Sequence, residues 1–130
     1  MEYLDLSKEF NTFSFECNRM PSSAFGISEE TQKRVILSRL YYALFNRLLA
    51  ELPKIAMSRG SNKHESVKNI LAQQAGSGDF YRNLYNLFID LKKFREWADY
   101  KLTNTIPLNG VFTMLLQKVY KYINAAKVIA

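Results

Sequence analysis

Apolar positions recur along most of this chain at spacings of three and four, the period that gathers side chains on one face of an α-helix. Tyr3, Leu6, Phe10, Phe13 and Cys17 begin the pattern and predict a helix over residues 2 to 18, ended by Pro21 and its small neighbours. Ser28 followed by Glu29 and Glu30 reads as a helix start, because the serine can accept from a free amide and the carboxylates suit the positive helix end. The second helix runs to about Leu52 and is stopped by Pro53. Ile36, Leu37, Leu40, Leu44, Leu48 and Leu52 form its apolar face, with Arg39, Tyr42 and Asn46 in a narrow polar stripe beside it.

Asn62-Lys63-His64-Glu65 has the form of a capping box that opens a short third helix. That helix turns Val67, Ile70 and Leu71 inward and closes at Gly76-Ser77-Gly78, after which Asp79 is placed to cap a fourth. Asn104 to Pro107 makes the next break, and Pro107 suits the first turn of a last helix carrying Phe112, Leu115, Val119, Tyr122, Ala126 and Ile129. No alternating strand pattern competes. The elements predict an all-α protein, an antiparallel four-helix up-and-down bundle with an additional short helix. Its 130 residues are expected to form one domain, 1–130, that buries about two thirds of the unfolded surface.

The fourth helix carries a polar intrusion. Leu84, Phe88, Leu91, Arg95, Ala98 and Leu102 share one face, so a guanidinium stands on the apolar stripe, where removal from water costs several kcal/mol unless partners compensate. Asp99, one turn on, is a candidate partner. Two readings stay open: an Arg95–Asp99 pair that closes the edge of the core, or a functional centre. Tyr81, Tyr85 and Trp97 lie off this stripe and suit either rim packing or a subunit interface.

Composition narrows the function classes. The lone Cys17 cannot form an internal disulfide, no export signal is evident, and no apolar run approaches the roughly 18 residues of a membrane span. A cytoplasmic protein without a membrane segment is the expectation. A formal charge of +6 favours anionic partners, or simply solvated helix faces. One His, one Cys and scattered carboxylates give no metal-binding set, and Gly76-Ser77-Gly78 lacks the context of a nucleotide loop, so neither metal nor cofactor is expected. At the mouth of the third helix, Arg59, Lys63 and Lys68 join His64 as a candidate phosphate site. There the charged imidazole is disfavoured, leaving a neutral ring able to accept a proton, although a lone loop histidine more often caps or solvates.

Three blocks of this sequence resemble a small prokaryotic branch of the HEPN superfamily: Ser38-Arg39-Leu40-Tyr41-Tyr42-Ala43-Leu44-Phe45, Asn62-Lys63-His64-Glu65-Ser66-Val67 and Phe94-Arg95-Glu96-Trp97-Ala98-Asp99-Tyr100. The similarity covers roughly residues 28 to 125. It implies a four-helix bundle with an extra short helix, a homodimer, and binding of RNA or nucleotide. It further implies a metal-independent endoribonuclease of a toxin–antitoxin or antiviral defence system. The alternative is a non-catalytic accessory or assembly subunit of a CRISPR-type or nucleotidyltransferase-partnered complex. The family's active-site signature places a histidine four to six residues after an arginine. Here Arg95 takes the arginine position and Tyr100 stands in the histidine's place, with Asp99 beside it. The Arg59 to His64 spacing fits the signature literally but lies in another block. The implied roles give phosphate to Arg95 and Arg39, orientation to Tyr42, Asp99 and Tyr100, and proton transfer to His64. Tyrosine, with an ordinary pKa of about 10, is a poor base at neutral pH.

Overall fold

The computed structural model describes residues 2–59, 62–100 and 112–130, the side chains of residues 100 and 112 excepted. The protein is an all-α helical bundle, with six α-helices and no strand among the described residues. Helix α1 is Tyr3–Arg19, α2 is Glu29–Ala50, α3 is Pro53–Ala56, α4 is Lys63–Gln74, α5 is Asp79–Tyr100 and α6 is Phe112–Ile123.

The local signals act much as their chemistry dictates. Ser28 Oγ accepts from the Thr31 amide at 3.1 Å, and Glu29 and Glu30 in the first turn pair with Lys33 and Arg34 at 3.9 and 3.1 Å. Pro53 does more than stop α2: it occupies the first turn of α3, a single turn not expected from the periodicity. Asn62 precedes α4, but its side chain makes no cap bond, and Glu65 pairs with Lys68 and Lys92 instead of reaching back. After Gln74 the chain continues as a 3₁₀ turn, Ala75–Ser77, and reverses at Gly78, whose φ of 146° is a region that glycine alone enters without strain. Gly78 lends its carbonyl to the Arg82 amide, so Asp79 is the first residue of α5 rather than its cap, and pairs with Arg82. The expected break at Asn104 to Pro107, and Leu102 on the α5 face, lie outside the described residues.

Helix α2 is the centre of the bundle. Leu37, Leu40, Tyr41, Ala43, Leu44 and Leu48 have no exposure, and they meet Leu84, Phe88 and Leu91 of α5, Val67 and Leu71 of α4, and Leu116 and Val119 of α6 in one core. Contacts fix the directions. Ser7 reaches Ala43 while Gln32 reaches Cys17, so α1 and α2 are antiparallel; Arg34 reaches Trp97 while Tyr41 meets Phe88, so α2 and α5 are antiparallel. Tyr122 of α6 bonds the carbonyl of Phe80 at the start of α5, which sets these two antiparallel as well. Tyr85 and Trp97 pack on the core, and Tyr81 meets Phe80 edge-on at 5.2 Å.

Two expectations about faces are corrected. Helix α1 buries Ser7, Asn11, Ser14 and Cys17, whereas Phe13 is 45% exposed and Tyr3 and Phe10 are half-buried. The two small serines can face α2 because backbone carbonyls satisfy their hydroxyls: Ser7 Oγ donates to Ala43 O at 2.6 Å and Ser14 Oγ to Phe10 O at 2.9 Å, while the buried Asn11 Oδ1 has no hydrogen-bond partner. Helix α6 ends at Ile123, and Ala126 is exposed instead of lying on a continued apolar face.

The residues after α6 are held by side chains. Glu51 accepts the Val128 and Ile129 amides at 2.8 and 3.0 Å, Gln74 accepts the Ala130 amide at 2.7 Å, and Arg47 donates to Ala125 O at 2.8 Å. Arg47 also pairs with Glu51 at 2.7 Å, with side chains 5% and 17% exposed. A carboxylate that neutralises a buried guanidinium and caps two amides is hard to replace. Glu51→Ala is expected to cost about 3 kcal/mol, roughly 10 °C in Tm, because Arg47 loses its countercharge. A denaturant titration showing a loss below about 0.5 kcal/mol would assign the tail no part in stability.

Candidate functional site

The polar intrusion on α5 faces the double tyrosine of α2. With Leu84, Phe88, Leu91 and Ala98 buried on the same stripe, the Arg95 side chain is drawn in to 13% exposure. Its guanidinium carbon lies 5.2 Å from the Tyr41 ring centroid and 5.6 Å from that of Tyr42, the range in which a ring quadrupole stabilises a cation. Nη1 stands 3.5 Å from both the Tyr42 hydroxyl and the Asp99 carboxylate. The Asp99 side chain is 32% exposed. Arg95 is thus paired with Asp99, as one of the two readings expects, and sits in a wall of aromatic rings.

His64 reaches the same rings from α4. It is the second residue of that helix, and its ring stacks on Phe45 at 4.1 Å and 9°, lies 5.5 Å and 16° from Tyr41, and meets Tyr42 edge-on at 6.4 Å. Nδ1 is hydrogen-bonded to the Tyr41 hydroxyl. Burial pushes the His64 pKa below its ordinary value, with the charges of Arg95 and Lys92 acting the same way and Glu96 opposing. Burial also pushes the Tyr41 hydroxyl well above the usual tyrosine range, so that it keeps its proton. The neutral imidazole expected at the helix mouth is thus favoured, but mainly by desolvation among aromatic rings.

The remaining candidates divide by position. Arg39, one turn before Tyr42, is exposed with its guanidinium 5.5 Å from the Phe10 ring centroid. It shares with Asp99 a surface groove of about 330 Å³, also lined by Thr31, Arg34, Ser38 and Ala98. Arg34 closes one wall by donating to the Trp97 and Ala98 carbonyls, each at 3.1 Å. Lys63 donates to Ala56 O at 2.9 Å, which ties it to the turn after α3. Arg59 is an exposed residue of the connection before α4, and Lys68 pairs with Glu65 at 3.7 Å. The phosphate site drawn from Arg59, Lys63 and Lys68 around His64 is therefore not assembled, since the imidazole turns into the bundle toward Arg95. The side chain of Tyr100 lies outside the described residues. Among those residues, no group of three or more His, Cys, Asp or Glu side chains converges, and no helix is long and apolar enough to cross a membrane.

Sequence reasoning passed over Tyr41 and Phe45 as site residues. A signal was present: Tyr41 stands four residues after Leu37 and three before Leu44, on the inward face, where a tyrosine hydroxyl needs a partner. Phe45, four residues further on, continues the same face to the histidine.

No family model, curated protein or solved structure matches this chain.

The histidine environment sets a pH dependence. With its folded pKa below the unfolded value of about 6.5, His64 binds fewer protons in the folded chain than in the unfolded one on acidification. Stability present above about pH 6.5 is therefore lost as pH falls toward the folded pKa. Thermal melts from roughly pH 8 to pH 5 are expected to show a steeper acid loss in the wild type than in His64→Gln, which has no group to titrate there. Parallel curves would show that folding leaves the imidazole unperturbed.

Proposed function

We propose that this protein is a HEPN-like RNA- or nucleotide-binding protein whose phosphate site is built by Arg95 and His64 around the Tyr41–Tyr42 pair, with Arg39 at its edge. One observation carries the reading: all three blocks of the resemblance supply side chains to a single constellation, with Arg95 and His64 against the same two tyrosine rings. Arg95 is preorganised by those rings. Asp99, exposed and 3.5 Å from Nη1, is the carboxylate that an incoming phosphate displaces, an exchange of one oxyanion for another at the same cation. Arg39 lines the same groove as Asp99 and adds a second guanidinium at its exposed edge. A net charge of +6 adds a long-range attraction for a polyanion.

Metal-independent RNA cleavage is a second reading, favoured by the same proximity. Attack by a 2′-hydroxyl builds negative charge on the phosphorane, and a guanidinium together with an imidazole held beside it is a suitable stabiliser. A homodimer in a toxin–antitoxin or antiviral defence setting follows from the resemblance alone.

Binding of a labelled single-stranded RNA, measured by anisotropy at several salt concentrations, tests the reading. Wild type is expected to lose affinity steeply as salt rises, and Arg95→Ala to bind about tenfold more weakly with a log–log salt slope shallower by roughly 0.7. A folded Arg95→Ala protein with unchanged affinity and slope would remove Arg95 from the site. Product analysis of the same mixtures, with metal chelated, reads cleavage directly.

A further inference from the structure

The bond between Tyr41 and His64 determines more than where the imidazole sits. Tyr41 has no solvent exposure, and around its ring stand Tyr42, Phe45, Phe88 and the Arg95 guanidinium. A guanidinium only donates, phenylalanine rings carry no lone pair for a strong hydrogen bond, and the Tyr42 hydroxyl accepts from Arg95 Nη1 instead. Nδ1 of His64 is the hydrogen-bond partner that the hydroxyl has among the described residues. A buried hydroxyl without an acceptor is disfavoured, so the O–H proton points at Nδ1 and Nδ1 offers its lone pair. A neutral imidazole carries one N–H, which then falls on the other nitrogen.

We propose that Tyr41 is a positioning residue that holds His64 as the Nε2–H tautomer, so that the histidine offers its ligand a proton donor at Nε2 and no lone pair. The ligand class this selects is an oxyanion, with Nε2–H and the Arg95 guanidinium as complementary donors to phosphate oxygens. In the cleavage reading, His64 then stabilises charge on the phosphorane and does not take the 2′-hydroxyl proton, the task for which a free lone pair at Nε2 is needed. The ring remains neutral because the groups around it disfavour a second proton: burial, Arg95 and Lys92 act together, against Glu96. Glu65, on the same helix as His64, pairs with both Lys68 and Lys92. The identity of the ligand rests on the phosphate-binding reading, whereas the tautomer does not.

The chain has one histidine, so a two-bond proton–nitrogen correlation spectrum of histidine-labelled full-length protein at neutral pH reports this ring alone. The expected spectrum is that of the Nε2–H form, and in Tyr41→Phe it changes to the averaged pattern of exchanging tautomers. Single-stranded RNA affinity is expected to fall about tenfold in Tyr41→Phe and in His64→Ala, one oriented hydrogen bond's worth. His64→Gln, whose amide can donate from near the Nε2 position, is expected to hold affinity within about threefold of wild type. An Nδ1–H or averaged spectrum in the wild type overturns the proposal, as does an unchanged spectrum in folded Tyr41→Phe. An Nε2–H spectrum from a chain with no salt-dependent RNA affinity sustains the tautomer and overturns the phosphate reading.

Discussion

Helix α2 is enclosed by the rest of the protein: from Leu40 to Leu49 every residue but Tyr42 is buried, Asn46 and Arg47 among them. A polar group on such a helix has little recourse to water, so a partner inside the fold is strongly favoured: Arg47 bonds through Nη1 and Nη2 and leaves its buried Nε without a partner. Much of the architecture follows from that constraint. Ser7 of α1 bonds the Ala43 carbonyl, Asn46 donates to the Tyr42 carbonyl at 2.7 Å, and Arg47 draws Glu51 and the C-terminal residues over itself. Tyr41 draws in His64. The tail, the close packing of α1 and the orientation of the histidine are three answers to the burial of one helix.

The same burial gives the site its electrostatics. A tyrosine and an imidazole in water would exchange partners freely; among Phe45, Phe88 and the other rings, each is held to the protonation state that carries no charge. Arg95 cannot neutralise itself in this way, because a guanidinium stays charged in proteins. It is instead accommodated by two ring faces and by Asp99. The result is a permanent cation beside a neutral hydrogen-bonding ring, with the Asp99 carboxylate 3.5 Å from its Nη1. A strongly held internal salt bridge would have a short, shielded carboxylate; the 3.5 Å separation and 32% exposure of Asp99 leave that position open to competition.

Much of the fold is legible in the sequence because helix periodicity and caps are local: the extents of α1, α2 and α4, and the Ser28 cap, follow from residues within a few positions of one another. What escapes is set by tertiary contact. The aromatic spacing of α1 points to Phe13 as core, yet serines and Asn11 face inward, since carbonyls of α1 and α2 satisfy the hydroxyls in a way no α1 pattern records. The tail beyond Ile123 reads as helix by period, but Glu51 and Gln74 offer its amides acceptors that a continued helix would not use. Arg95 is legible as an anomaly because it breaks its own helix's stripe. Its ring partners belong to α2, and only the resemblance, not the local pattern, ties them to it.

The position of His64 shows why the site depends on the fold as a whole. A histidine at the second position of a short helix can as readily face solvent, the side on which the sequence pattern groups it with Arg59 and Lys68. Here the helix is set against α5, with Glu65 bridging to Lys92 at 3.9 Å, and that docking turns the ring toward Phe45 rather than outward. Stacking at 4.1 Å and the bond from Tyr41 then leave the imidazole two restraints, one on its plane and one on its rotation within that plane. A ring so restrained has already lost its rotational freedom in the folded chain, so any hydrogen bond made at its other nitrogen carries little further ordering cost.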